Sequence, residues 1–191
     1  MREIFYIADT HFRHNNILKL DNRPWTDVSK MEYDMIGRWN DKVNKNDIVY
    51  ILGDFCWSNN SDAWEYLLEE LNGHKTLIRG NHDPKQFTTK IQKQFTDIKD
   101  YKEIRDNGRN VILSHYCIPF FKNDYLENVY MIYGHVHATM EYSMLIDIKQ
   151  YIENHMSDTD GVKNLGKFYN AGCMLHDYTP KTLDELILDD K

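Results

Sequence analysis

The sequence predicts an α/β fold with two β layers, on three observations. Short apolar runs of strand type alternate with helical stretches through the first half, a βαβαβ order that builds one sheet with helices packed on it. The second half is richer in strand-type runs, which predicts a second sheet laid on the first. Five of these runs stop at short polar clusters built from Asp, Asn, Ser and His.

Taken in order, residues 3–8 are apolar and β-prone and read as a buried strand ending at Asp9. Residues 27–43 have helical spacing, with Met31, Met35, Ile36 and Trp39 on one face. Residues 47–52 form a second strand, stopped by Gly53-Asp54. Residues 61–71 open on Ser61 as a cap and carry Trp64, Leu67, Leu68 and Leu71 at helical intervals. Residues 75–79 form a third strand, stopped by Gly80, and Pro84 opens a helix reaching about residue 95. Residues 97–105 and 110–114 read as a hairpin turning at Asn107-Gly108. Residues 129–133 form a strand ending at Gly134, and 141–148 and 167–171 are further strand candidates. The polar stretch 150–165 reads as an insertion able to form at most a flap. There is no repeat and no low-complexity linker, so one domain is expected over residues 1–191.

Composition narrows the function. A chain of this length buries about 70% of its unfolded surface, so it needs no staples. Hydrophobic residues at 41% and charged residues at 28% fit a soluble globular protein rather than a disordered one. No apolar run nears the roughly 20 residues of a membrane span, and Asp9 interrupts the apolar start where a signal peptide would not place an acid. No membrane partner is expected. The 23 basic against 30 acidic residues, net −7, argue against long nucleic acid as a partner, though not against nucleotides. Cys56, Cys117 and Cys173 are odd in number and form no CxxC, so neither a disulfide framework nor a thiolate zinc site is expected, and a reducing cytoplasm fits.

The polar clusters carry the chemistry. They are Asp9-Thr10-His11, Gly53-Asp54, Gly80-Asn81-His82-Asp83, Ser114-His115 and Gly134-His135-Val136-His137. In open α/β sheets ligands bind beyond the carboxyl ends of strands, so segments distant in sequence converge there. Residues two apart in an extended segment point the same way, so Asp9 with His11, and His135 with His137, can each clasp an ion or serve neighbouring ions. Any single cluster has a plain alternative as a turn or a capped end. Their conjunction, in order, does not.

This ordered series resembles the calcineurin-like metallophosphoesterase superfamily. The run Ala8-Asp9-Thr10-His11-Phe12, with His14, Asn16 and Ile17, and the later Asn170-Ala171-Gly172 with Pro180, resemble its small single-domain bacterial and phage branch. The resemblance implies a four-layer α/β/β/α sandwich of two mixed sheets with a dinuclear metal site at the strand ends. It implies that Asp9, His11 and His137 hold one ion, that Asn81, His115 and His135 hold the other, and that Asp54 bridges them. His82 would stand outside the ligands as a general acid or a phosphate contact. Unlike some protein phosphatases, the chain follows Asp54 with Phe55-Cys56 and lacks a second Asp to orient that histidine. Arg13 stands where close relatives often have Gly, as a phosphate contact or a solvent-facing side chain. His14 either lines the pocket or is structural.

Two cations about 3.5–4 Å apart lower the pKa of a bridging water and offset the charge of a phosphate ester. Imidazole and carboxylate ligands suit transition metals, Mn²⁺ foremost and Fe, Zn²⁺ or Ni²⁺ also, and suit Ca²⁺ poorly. The expected function is hydrolysis of small phosphomonoesters or phosphodiesters by a bridging hydroxide. The alternatives are a nuclease acting on nucleotides or short single strands, and a catalytically weak metal-binding interaction domain.

Overall fold

Side-chain alternation along the strands sets the layers. The computed structural model describes residues 2–156 and 165–190. Strands β1 (Ile4–Ile7), β2 (Ile48–Ile51), β3 (His74–Ile78) and β4 (Asp97–Lys99) form one sheet in that order, paired in parallel. Strands β5 (Tyr101–Asp106), β6 (Arg109–Ser114), β7 (Val129–Tyr133) and β8 (Phe168–Asn170) form the other, antiparallel at β5–β6 and parallel beyond. The helices are α1 (Ile17–Leu20), α2 (Val28–Lys42), α3 (Ser61–Glu70), α4 (Thr89–Gln92), α5 (Met140–Met156) and α6 (Leu183–Asp189).

Successive side chains of a strand point to opposite faces. Phe5, Ile7, Val49 and Ile51 therefore meet Met31, Met35 and Trp39 of α2 and Trp64, Leu67 and Leu68 of α3. Their neighbours Tyr6, Ala8, Tyr50 and Leu52 face the second sheet and pack on Val111, Leu113, Ile132 and Tyr169. On that sheet's far side, Ile112, Met131, Tyr133 and Phe168 lie under Tyr142, Leu145 and Ile152 of α5. The order is helix, sheet, sheet, helix. Strands buried on both faces read as unbroken apolar runs, so the runs mark strands without saying which face each side chain takes.

The sheets are tied together at one end. Ala8 N–H donates to the Ala171 carbonyl (2.8 Å) and Cys173 N–H donates to the Ala8 carbonyl (3.0 Å), so the chain leaving β8 runs beside the chain leaving β1.

Some elements differ from the sequence expectation. Residues 141–148, expected as a strand, belong to α5. Tyr142, Leu145 and Ile152 lie at helical intervals against the second sheet, and Lys149, between them, places its ammonium 4.1 Å from the Tyr169 ring centroid. A short apolar run does not distinguish helix from strand by pattern alone. The helix expected from Pro84 shrinks to α4, capped by Thr88. The Arg79 guanidinium binds the Lys85 carbonyl at 2.9 Å, and the Asp83 carboxylate accepts the Gly80 N–H at 2.8 Å, which holds the preceding segment as a loop. The strand expected over 97–105 divides at Asp100, which pairs with Arg79 at 2.7 Å. The chain thereby passes from the first sheet to the second. Helix α3 is capped by Asn60 rather than Ser61, its side chain accepting the Asp62 N–H at 2.9 Å. Of the stretch 150–165, residues 150–156 complete α5, and 157–164 lie outside the described residues. No described helix is long and apolar enough to cross a membrane.

Candidate metal centre

Five strands deliver their C-terminal ends to one edge of the paired sheets. Asp9 and His11 follow β1, Asp54 follows β2, and Asn81 and His82 follow β3. His115 follows β6, and His135 and His137 follow β7. The structure brings all eight together. Asp9, His11 and His137 offer ligand atoms within 4.8 Å of one another, and so do Asp54, His115 and His135. Asn81 Oδ1 lies 3.0 Å from His115 Nε2, which adds it to the second group. Asp54 Oδ2 lies 3.8 Å from His11 Nε2, 3.7 Å from His115 Nε2 and 4.0 Å from His82 Nε2. One carboxylate oxygen thus stands between the two groups.

The hydrogen-bonding state of these atoms tests whether cations fit. A backbone carbonyl only accepts, so His115 Nδ1–H donates to Leu52 O at 2.7 Å and Nε2 is the ring atom turned to the centre. His137 Nδ1–H donates to Asp21 Oδ1 at 2.9 Å, which turns its Nε2 to the centre, 3.3 Å from His11 Nε2. Asp9 Oδ2 accepts the His135 N–H at 2.9 Å, while its Oδ1 is buried with no hydrogen-bond partner. Acceptors aimed at one another in a buried place repel unless a cation lies among them. The residues fit divalent ions.

The backbone is bent to make this convergence. Asp9, His11, Asp54, His135 and His137 all have positive φ, at 57°, 49°, 52°, 76° and 45°. Left-handed backbone at a non-glycine residue costs of order 1 kcal/mol or more, and such strain gathers at functional sites. Gly53, at φ +88°, has no room for a side chain, since a Cβ there would lie 2.3 Å from His115 Nδ1. A Cβ at Gly80 would lie 2.2 Å from Asp54 Oδ1.

Residues 3–180 match the family model of calcineurin-like phosphoesterases. The chain belongs to that family. It is 33% identical to the uncharacterized protein MJ1445 of Methanocaldococcus jannaschii, over 98% of this chain and 90% of that protein. It is 24% identical to the Gene 66 protein of Mycobacterium phage D29, covering 78% of this chain and 86% of that one. The crystal structure of AQ665 from Aquifex aeolicus, a protein of unknown function, is similar with a TM-score of 0.69 and 26% identity, over 98% and 99% of the two chains.

Of the residues that shape this centre, Asp21, Arg23 and Trp57 were not singled out in the sequence, and Asp83 was named only within a polar cluster. Asp21 holds His137 and is itself held by Arg23 Nε at 3.0 Å. The Arg23 guanidinium also donates to the carbonyls of Thr10 (2.7 Å) and Asp9 (2.8 Å), so it braces the bent segment that carries Asp9 and His11. Asp83 accepts the N–H groups of Gly80, Asp54 and Phe55 at 2.8–3.0 Å, joining the loops after β2 and β3. Trp57 packs on His14, with ring centroids 4.2 Å apart. Asp21-Asn22-Arg23-Pro24 has the composition of an ordinary turn, so no local signal marks it.

Other cationic, thiol and aromatic side chains take no part in this cluster. Arg13 pairs with Glu32 at 2.8 Å and reaches over Tyr66, rather than pointing at the centre. Arg109 begins β6, the opposite end from His115, and pairs with Asp184. Burial pushes the thiols of Cys56, Cys117 and Cys173 up to about 12. Phe121 is buried under the second sheet, while Phe120 and Tyr125 are exposed.

Electrostatics act on the three ligands of the first group in different directions. Burial, reinforced by the charges of His137 and Arg23, lowers the His11 pKa to about 2, so its ring stays neutral. Burial also disfavours protonated His137, but its hydrogen bond to Asp21 and the charge of Asp9 outweigh this and raise its pKa. Burial pushes Asp9 up to about 6, against the pull of His115 and His137.

Two outcomes are expected. Asp21→Asn should leave the fold intact and lower metal affinity roughly 10–100-fold, as losses behind a ligating histidine do. Metal titration followed by elemental analysis checks this, and unchanged affinity would show that Asp21 serves only the fold. The second outcome concerns Asp9, whose pKa in the metal-free native state, about 6, lies above its ordinary 3.8. Its charge therefore costs stability that is lost as pH rises through that window. In chelated protein, Asp9→Asn should be more stable than wild type at pH 7.5, by about 1–3 kcal/mol. The gain should shrink as pH falls toward about 4. Denaturant melts at both pH values measure it.

Proposed function

We propose that this chain hydrolyses small phosphomonoesters or phosphodiesters at a centre of two divalent transition-metal ions. The observation that carries the reading is Asp54 Oδ2, placed within 4 Å of ring nitrogens from both ligand groups. Asp9, His11 and His137 would hold one ion. Asn81, His115 and His135 would hold the other, with Asp54 shared. When bound, such ions screen the phosphoryl charge and make water at the site more acidic. Imidazole, carboxylate and carboxamide without thiolate favour Mn²⁺, with Fe, Zn²⁺ or Ni²⁺ as alternatives. The unpaired thiols, those of Cys56 and Cys173 buried, support a reducing cytoplasm as the setting. The intact ligand series speaks against a domain that only binds partners.

The chain's own part in the reaction lies with His82. Its backbone N–H donates to Asp54 Oδ1 at 2.9 Å, which fixes its place. Its side chain is 44% exposed, with Nε2 4.0 Å from Asp54 Oδ2, so the ring faces the centre and an incoming substrate alike. The phosphorus–oxygen ester bond breaks as water adds to phosphorus. The departing alkoxide takes its proton from His82, and the proton released by water balances it.

Elemental analysis should find two ions per loaded chain, and Asp54→Ala should weaken both sites together. Two ions and full turnover in that variant would remove the shared role. His82→Ala should keep its metals and lose about 10²–10⁴-fold activity on alkyl or nucleoside esters, and less on nitrophenyl esters, whose leaving group needs no proton. Equal losses on both would make His82 a contact to the phosphoryl oxygens instead.

A further inference from the structure

Trp57 is exposed where other tryptophans are buried. It is 45% accessible, whereas Trp39 and Trp64 are 1% accessible. The backbone holds it firmly, its N–H donating to the Phe12 carbonyl at 2.8 Å. The His14 ring lies parallel to the indole at 4.2 Å and 10°. The His82 ring stands 4.7 Å away, tilted by 53°. Trp57, His82 and Pro84, with Cys56, Ser58 and Asn59, line a pocket of about 270 Å³. His14 is not part of that lining.

We propose that this pocket receives the nucleobase of a nucleoside leaving group. The inference rests on the reading of His82 as the proton donor. Because His82 borders both the metal centre and the pocket, a group seated there presents its ester oxygen to that ring. The walls suit a flat heteroaromatic ring, since Trp57 offers a stacking surface and Pro84 a rigid apolar one. The rim suits the polar edge of a base, since Ser58 and Asn59 carry donors and acceptors that a bare phenyl group cannot use. No lysine or arginine lines the pocket, so it is not shaped for a second phosphate. His14 explains how an exposed tryptophan stays in place. By packing on one face it fixes the ring, so little side-chain freedom remains to be lost on binding.

The test uses the full chain loaded with Mn²⁺. One substrate pair is adenosine 5′-monophosphate and ribose 5-phosphate. The other is adenylyl-adenosine and its analogue lacking the base on the leaving side. Wild type should prefer the base-bearing member of at least one pair by roughly tenfold or more in kcat/KM, the scale of one base–aromatic stack. Which pair shows it separates a nucleotidase from a diesterase. Trp57→Ala should abolish the preference with metal content unchanged, and Trp57→Phe should keep most of it. A readout independent of turnover is tryptophan emission. Adenosine 5′-monophosphate should quench it in wild type, ribose 5-phosphate should not, and Trp57→Ala should lose the quench. Equal use of both members of each pair, or a preference that survives Trp57→Ala, overturns the pocket assignment. Nitrophenyl phosphate esters serve as the control. If they are hydrolysed without any base preference, the pocket assignment falls and the phosphoesterase reading stands. If neither they nor the nucleotides are hydrolysed, the phosphoesterase reading falls, and the emission titration alone decides the pocket.

Discussion

A buried cluster of ligand atoms, several of which face one another rather than solvent, is the constraint on which the rest of this structure depends. Asp9 Oδ1 has no partner, His11 and His137 aim ring nitrogens at each other across 3.3 Å, and His115 Nε2 faces Asn81 Oδ1 across 3.0 Å. Such an arrangement opposes folding, because each lone pair loses water and gains a like neighbour. It persists because it is held from behind. The Leu52 carbonyl and Asp21 fix two rings, Arg23 braces the carbonyls of Asp9 and Thr10, and Asp83 gathers three backbone N–H groups.

The layer order makes that convergence attainable. The first sheet supplies Asp9, His11, Asp54, Asn81 and His82, and the second supplies His115, His135 and His137. Each ligand group draws on both sheets. Any cation bound there would join the sheets as well as serve chemistry, and by mass action it would stabilise the folded chain over the unfolded one. The hydrogen bonds between Ala8 and the segment after β8 make the same junction in the backbone, beside Asp9.

Much of the fold was legible where one local rule sufficed. The apolar runs ending at Asp9, Gly53, Gly80, Ser114 and Gly134 are strands ending there, because a buried strand needs continuous apolar chain and a sharp polar stop. Legibility failed where two structures satisfy one pattern. The run around Tyr142 to Ile148 has β-prone residues and also helical spacing, and only the second sheet's exposed face selects the helix. Asp100 looks like part of a strand, and its pairing with Arg79, a residue of the neighbouring loop, divides that strand between two sheets.

By itself the sequence determined which side chains can bind cations and at which strand ends they stand, because ligand chemistry belongs to the residue and strand termination to its neighbours. Tertiary structure decided the rest. That Asp54 lies between His11 and His115, that Asp21 and Arg23 stand behind His137 and Asp9, and that Trp57 stays exposed beside His82 depend on contacts across as many as 116 positions of chain. Such contacts leave no local pattern, since the energy that selects them comes from burying both sheets at once.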